Sequence, residues 1–180
     1  MLRAELLSGR TVALAGDVAP GVRSSLSSLG AELRELPSGE LDDDRAEDWA
    51  RSVSPVQALV ASVGQLAPGE PGGLESALDR TWTAVRAVAA GALIPGGGGK
   101  VVLLGPPPRA GAHAPAVRAG VENLARTLSV EWARHAVTVT AITPGTSTDE
   151  SQLATVVAFL LSRAGDYFSG CRLDLGAAGG

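Results

Sequence analysis

Short apolar runs alternate with longer stretches of helical periodicity along this chain, and that rhythm folds naturally only as a parallel α/β sheet. Parallel neighbours need a crossover lying on one face of the sheet, so the strands are buried on both sides and read as continuous apolar runs. Residues 11–15 (TVALA) end at Gly16 and predict a buried strand entering a turn. Pro20-Gly21 then opens a short helix with Leu26 and Leu29 on one face, closed by Gly30. Residues 32–36 are expected as a second strand, stopped by Pro37-Ser38-Gly39. The acidic patch 40–44 leads into a helix through Trp49 to about Val53, where the Asp residues suit the positive end of a helix dipole better than a metal. A third strand is expected over 56–62. A Pro/Gly-rich loop, 68–73, precedes an Ala-rich helix over 74–92.

Four glycines, Gly96 to Gly99, link that helix to a strand over 101–104. A phosphate cradle needs such glycines after a strand and before a helix, and here the order is reversed. Residues 116–134 form the best-patterned helix, with Val117, Val121, Leu124, Leu128 and Trp132 spaced by three or four. A strand over 137–142 ends in Pro144-Gly145. Thr148-Asp149-Glu150 caps the last helix, to about Ser162, and residues 171–175 are the final strand. The expectation is one domain, 1–180, without internal repeats: a three-layer, Rossmann-like αβα fold around about six mainly parallel strands.

Composition narrows the function classes. Aromatic residues make up 3% of the 180 residues against 45% apolar overall, so the core must be built from Ala, Val and Leu. A net charge of −4 offers no footprint for nucleic acid or an anionic membrane. No apolar run reaches the roughly 20 residues of a membrane span, and residues 1–10 lack a signal-peptide core. The single cysteine, Cys171, excludes an internal disulfide and is expected as an inert residue of a buried strand in a reducing cytoplasm. No His cluster or carboxylate pair has metal-site spacing. Trp49, Trp82 and Trp132 fall at helical packing positions, in the core or at a subunit interface.

Five segments, in order, resemble the short-chain dehydrogenase/reductase family. Leu7-Ser-Gly-Arg-Thr-Val-Ala-Leu-Ala-Gly16 is similar to its first strand, and Val56-Gln-Ala-Leu-Val-Ala-Ser-Val-Gly64 to its fourth. Residues 118–133 resemble its active-site helix, 137–145 the next strand and its Pro-Gly turn, and 166–176 the closing segment. The resemblance implies NAD(P)-dependent oxidoreduction through a Tyr-x-x-x-Lys pair, with a serine and an asparagine. In that chemistry a phenol, acidified by a neighbouring ammonium, protonates a carbonyl during hydride transfer.

The departures follow a pattern. With Arg118 at the lysine position, the tyrosine position is Ala114, which has no proton to give. Pro106, within Gly105-Pro-Pro-Pro108, stands in the serine's place, and no amide lies near 83–85 for the asparagine. His113, beside the empty tyrosine position, is a weak candidate for a replacement acid. On the cofactor side Gly16, Gly21, Ser62, Gly64, Pro144 and Gly145 are vestiges of the dinucleotide-binding positions. Asp17 would set a carboxylate near two phosphates, Pro20 removes a donor, and Glu35 lies out of phase for a ribose acid. One strand-helix unit is missing between 36 and 56, and five residues stand between 145 and 151 in place of a helical lid.

The expectation is therefore a catalytically inactive protein, with no cofactor (NAD(P) if any) and no metal. It would serve as a structural or regulatory subunit in a hetero-oligomer with an active relative, or would self-associate through helices 74–92 and 116–134. Small residues Ala84, Ala87, Gly91, Ala116, Ala119 and Gly120 would allow close helix approach. Two alternatives stand beside it. One is an NAD(P)-dependent oxidoreductase of ketoreductase type with an unconventional site, the other a non-redox small-molecule binding protein or enzyme on the same scaffold. Tyr167 and Lys100 match scaffold positions of the family rather than the catalytic pair.

Overall fold

A computed structural model describes residues 3–37, 42–63 and 73–176. The expected loops at 38–41 and 64–72, with Gly64, and the end of the closing segment, 177–180, lie outside the described residues. Six strands form one sheet: β1 (Thr11–Ala15), β2 (Glu32–Glu35), β3 (Ala58–Ser62), β4 (Gly99–Leu104), β5 (Val137–Thr143) and β6 (Arg172–Asp174). Their order is β2-β1-β3-β4-β5-β6, and every pairing is parallel. Five helices cross over: α1 (Pro20–Ser28), α2 (Asp43–Ser52), α3 (Gly73–Val88), α4 (Ala114–Glu131) and α5 (Glu150–Leu161).

Strand alternation divides the core in two. Ala13, Ala15, Leu59, Ala61, Val101, Leu103, Val139 and Ala141 face α2, α3 and α4. Val12, Leu14, Ala58, Val60, Val102, Leu104 and Ile142 face α1 and α5. The alanines on the first face let α3 and α4 settle close to the sheet, which is how a chain poor in aromatics still packs densely. α5 begins with a reciprocal cap: Asp149 accepts from the Gln152 amide at 2.7 Å, and the Gln152 side chain accepts from the Asp149 amide at 3.1 Å.

Several expectations need correction. The helix expected over 74–92 leaves α-geometry after Val88 and closes with a π-turn, Ala89–Leu93. The amides of Gly96 and Gly98 are bonded to Ala92 O and Leu93 O of that turn and the Gly97 amide to Ile94 O just after it, so this loop is a helix terminus. α4 starts at Ala114, since Pro115 fits a first turn that needs no N–H, and ends at Glu131 before a 3₁₀ turn, Ala133–His135. Cys171 precedes β6 and is half-buried rather than a core strand residue. Tyr167 is 95% exposed; its neighbour Phe168 packs instead, edge-on to Phe159 with ring centroids 5.5 Å apart. Trp49 and Trp132 pack against the α2–α4 core, but Trp82 is 40% exposed. Ala84, Ala87 and Gly91 are buried within this chain, and a Cβ on Gly91 would meet Glu47 O of α2 at 2.8 Å. Gly91 thereby lets the π-turn approach α2, and Ala116 and Ala119 are the exposed ones among the six small residues.

Candidate functional site

In an open parallel sheet the natural crevice lies beyond the carboxyl ends of the strands where the strand order reverses, here between β1 and β3. Gly16 leaves β1 at φ 71°, and a Cβ there would collide with the Ser62 carbonyl at the end of β3. Only glycine combines that left-handed conformation with that approach. The turn continues through Asp17, whose side chain is exposed, to α1.

The amino end of α1 is the part of such a fold that meets a phosphate, through free N–H groups and the helix dipole. Here those groups have partners. Pro20 has no N–H. The Gly21 N–H donates to Glu150 Oε2 at 2.6 Å, and Val22 and Arg23 both donate to Ala19 O, at 3.0 and 3.1 Å. Ala19, the residue before the helix, supplies no side-chain cap, so the cap arrives from Glu150 at the start of α5, 129 residues away. The Arg23 side chain donates through Nε to Val18 O at 2.7 Å and through its guanidinium to Glu35 at the end of β2. Glu35, the residue nearest the expected ribose position, is thus engaged by α1. A pyrophosphate placed on this turn would meet the Glu150 carboxylate and no free amide from Pro20 to Arg23.

The resemblance sets reaction chemistry beyond β4 and β5, and there Arg118 fills the space. Its side chain is 14% exposed, and one guanidinium nitrogen donates to Pro106 O at 2.9 Å and Pro144 O at 2.6 Å. The other terminal nitrogen lies 3.5 Å from Asp174 Oδ1 on β6. One side chain therefore joins the loops leaving β4 and β5 to the last strand. Pro106, Pro144 and Gly145 are buried, and Ala114, one turn before Arg118, is wholly enclosed. A Cβ on Gly145 would meet Gly176 Cα at 2.6 Å, so the Pro144-Gly145 turn is packed against the chain after β6. The wholly buried Thr143 hydroxyl has no partner among the described residues. His113 is exposed at the start of α4, and its imidazole accepts and donates no hydrogen bond among the described residues.

The structure thus brings Pro106, Arg118, Pro144 and Gly145 together, and separately Gly16 with Ser62, while Gly21 meets Glu150 and His113 joins none of these contacts. Sequence reasoning missed Glu150 and Arg23 as parts of the site. Both contacts join elements distant in sequence, and no local motif signals them.

At the opposite, amino-terminal edge of the sheet an open cavity of about 680 Å³ is lined by Arg10, Gln57, Lys100, Ser129, Thr138 and Asp166, among others. Lys100 extends to the carboxyl end of α5, donating to Leu160 O at 2.9 Å and Ser162 O at 2.6 Å, and pairs with Asp166 at 2.6 Å. Burial pulls its amine below the ordinary value while Asp166 opposes that shift; the ammonium in turn holds Asp166 below the usual carboxylate range. Among the described residues no group of three His, Cys, Asp or Glu could hold a metal ion, and no helix is long and apolar enough to cross a membrane.

No family sequence model and no curated protein matches this chain. Solved structures do. A citronellol catabolism dehydrogenase from Pseudomonas aeruginosa superposes with a TM-score of 0.79 at 21% identity, covering 98% of each chain. A hydroxysteroid dehydrogenase from Escherichia coli gives 0.78 at 15% identity, over 97% of this chain and 99% of that one. A Beutenbergia cavernae protein, described as an NAD(P)-dependent gluconate 5-dehydrogenase with bound NADP at low occupancy, gives 0.76 at 19%, over 94% and 96%. The chain has the fold of the short-chain dehydrogenases/reductases, Rossmann-like and parallel throughout.

Proposed function

We propose that this chain is a catalytically inactive protein on the short-chain dehydrogenase/reductase fold, and that it acts as a structural or regulatory subunit beside an active relative in the cytoplasm. Arg118 carries this reading. At the position where the resemblance expects a lysine beside a phenol, the guanidinium is bonded to two carbonyls of its own chain. Carbonyl reduction needs a proton donor held within hydrogen-bond reach of substrate. Ala114 and Pro106 have no side-chain proton to donate, and His113 has no hydrogen bond among the described residues to orient it.

A positioned acid is normally fixed by a second group, so the exposed imidazole gives the ketoreductase alternative little support. A non-redox ligand pocket near Pro106, His113 and Pro144 has less support, because the Arg118 guanidinium is already bonded to the Pro106 and Pro144 carbonyls. Assembly is supported by apolar groups left uncovered on two helices, Trp82 on α3 (40% exposed) and Val130 on α4 (78% exposed). Each of these side chains gains stability when a partner removes it from water.

The test is co-expression with an active short-chain dehydrogenase/reductase relative, followed by size exclusion and activity assays. The expected result is a mixed oligomer whose activity depends on the relative. The purified chain is expected to show no NAD(P)H turnover and no thermal shift with any of four nicotinamide cofactors, where a ligand at a hundredfold over Kd adds ~2.7 kcal/mol. Self-oligomers alone, with the relative's activity unchanged, would sink the reading. So would turnover by the isolated chain.

A further inference from the structure

We infer that Glu150 is an internal replacement for a dinucleotide phosphate: its carboxylate occupies the anion position at the amino end of α1 and latches α1 to α5. Three observations converge on it. Glu150 Oε2 accepts the Gly21 N–H at 2.6 Å, in the geometry a phosphate oxygen would take on a helix first turn. A Cβ on Gly21 would crowd the Glu150 side chain, its Cβ lying 3.0 Å away, so glycine at 21 leaves the carboxylate room to reach the amide. α1 has no cap of its own, whereas α5 is capped by Asp149 and Gln152, so Glu150 is not needed to cap its own helix.

The short β5–α5 connection explains how the carboxylate arrives. Four residues, 146–149, separate Gly145 from α5, so the first turn of α5 starts directly above the sheet edge and beside α1. The amino ends of α1 and α5 both favour negative charge, and Glu150 stands at the junction of the two. The arrangement disagrees with dinucleotide binding in a specific way. A phosphate would have to displace a tethered carboxylate whose effective concentration is set by the fold rather than by solution.

Amide hydrogen exchange and pyrophosphate binding test this on the full chain. Glu150→Ala should raise the Gly21 amide exchange rate at least tenfold while leaving Ala46, in α2 on the opposite face, unchanged. Inorganic pyrophosphate should then raise the Tm of E150A and not that of the wild type. Glu150→Gln, which keeps an acceptor and removes the charge, should fall between them, and it keeps the test valid if E150A folds poorly. Unchanged Gly21 exchange in both variants overturns the proposal. An equal pyrophosphate or NADP response in wild type and E150A also overturns it, because the carboxylate then excludes nothing. Faster exchange without any pyrophosphate response in E150A overturns the replacement too, leaving a simple cap. These readouts involve neither turnover nor partner assembly, so they can fail while the inactive-subunit reading stands, and the reverse.

Discussion

At the scale of single residues, Arg118 connects what the chain lacks to what holds it together. The resemblance marks its position in the sequence, but its role as a clamp depends on Pro106 O, Pro144 O and Asp174, which lie on three other segments. Arg118→Ala leaves two carbonyls on buried proline residues without their donor. Such losses cost about 1–3 kcal/mol each before relaxation, so a total near ~2–4 kcal/mol is expected from urea denaturation. Arg118→Lys should recover only part, since an ammonium on a shorter reach cannot fork as a guanidinium does. A change in R118A within ~0.5 kcal/mol of wild type, the usual range of a surface substitution, would show that the guanidinium is not structural. Gly16 is legible in the sequence as a turn glycine. That it meets Ser62 is not, because the contact is made by the sheet.

At the scale of elements, β1, β3, β4 and β5 were legible as apolar runs, and the cap of α5 in Thr148-Asp149-Glu150; the polar edge strands β2 and β6 carry a weaker signal, and the Gln152 half of the cap came only from the structure. Lys100 shows the limit. It looks like the start of a strand, yet its side chain ties β4 to the end of α5 through Leu160 O, Ser162 O and Asp166. Burial dominates the Lys100 shift and the ion pair dominates that of Asp166, because the ammonium is enclosed and the carboxylate half exposed. The signs follow by linkage. Asp166, with its folded pKa depressed, contributes stability that is fully present above the ordinary carboxylate value of 3.8 and is lost as pH falls through its lowered value. Lys100, with its folded pKa below 10.5, leaves the unfolded chain binding more protons in the window just beneath that value, so its contribution rises with pH there. Lys100→Met should cost about 2–3 kcal/mol at neutral pH through the stranded carbonyls. It should also flatten the acid limb of a Tm-against-pH curve, where Asp166 loses its partner, and steepen the alkaline fall by removing the rise that Lys100 contributes. Limbs of unchanged slope in K100M would assign the pH dependence elsewhere.

At the scale of the whole molecule, one sheet is shared by two cores, so damage on one face should be felt on the other. Leu26 is wholly buried on the α1/α5 side, while Trp49 and Trp132 pack on the α2–α4 side. Leu26→Ala should cost ~2–5 kcal/mol, and tryptophan fluorescence and far-UV circular dichroism should shift together. A fluorescence transition that stays in place would mean that the two faces unfold separately. The sequence by itself pointed to the α/β class, to about six mainly parallel strands and, through the resemblance, to Ala114 and Pro106 where that family has proton donors. Those properties are local: apolar runs make strands, periodicity makes helices, and alanine or proline cannot donate a proton wherever they fold. Only the tertiary structure decided what Arg118 and Glu150 bond to. Arg118 reaches carbonyls on two loops and Glu150 reaches an amide 129 residues away. Such pairings are set by how crossovers stack helix ends above a common sheet edge, and no window of the chain contains both partners.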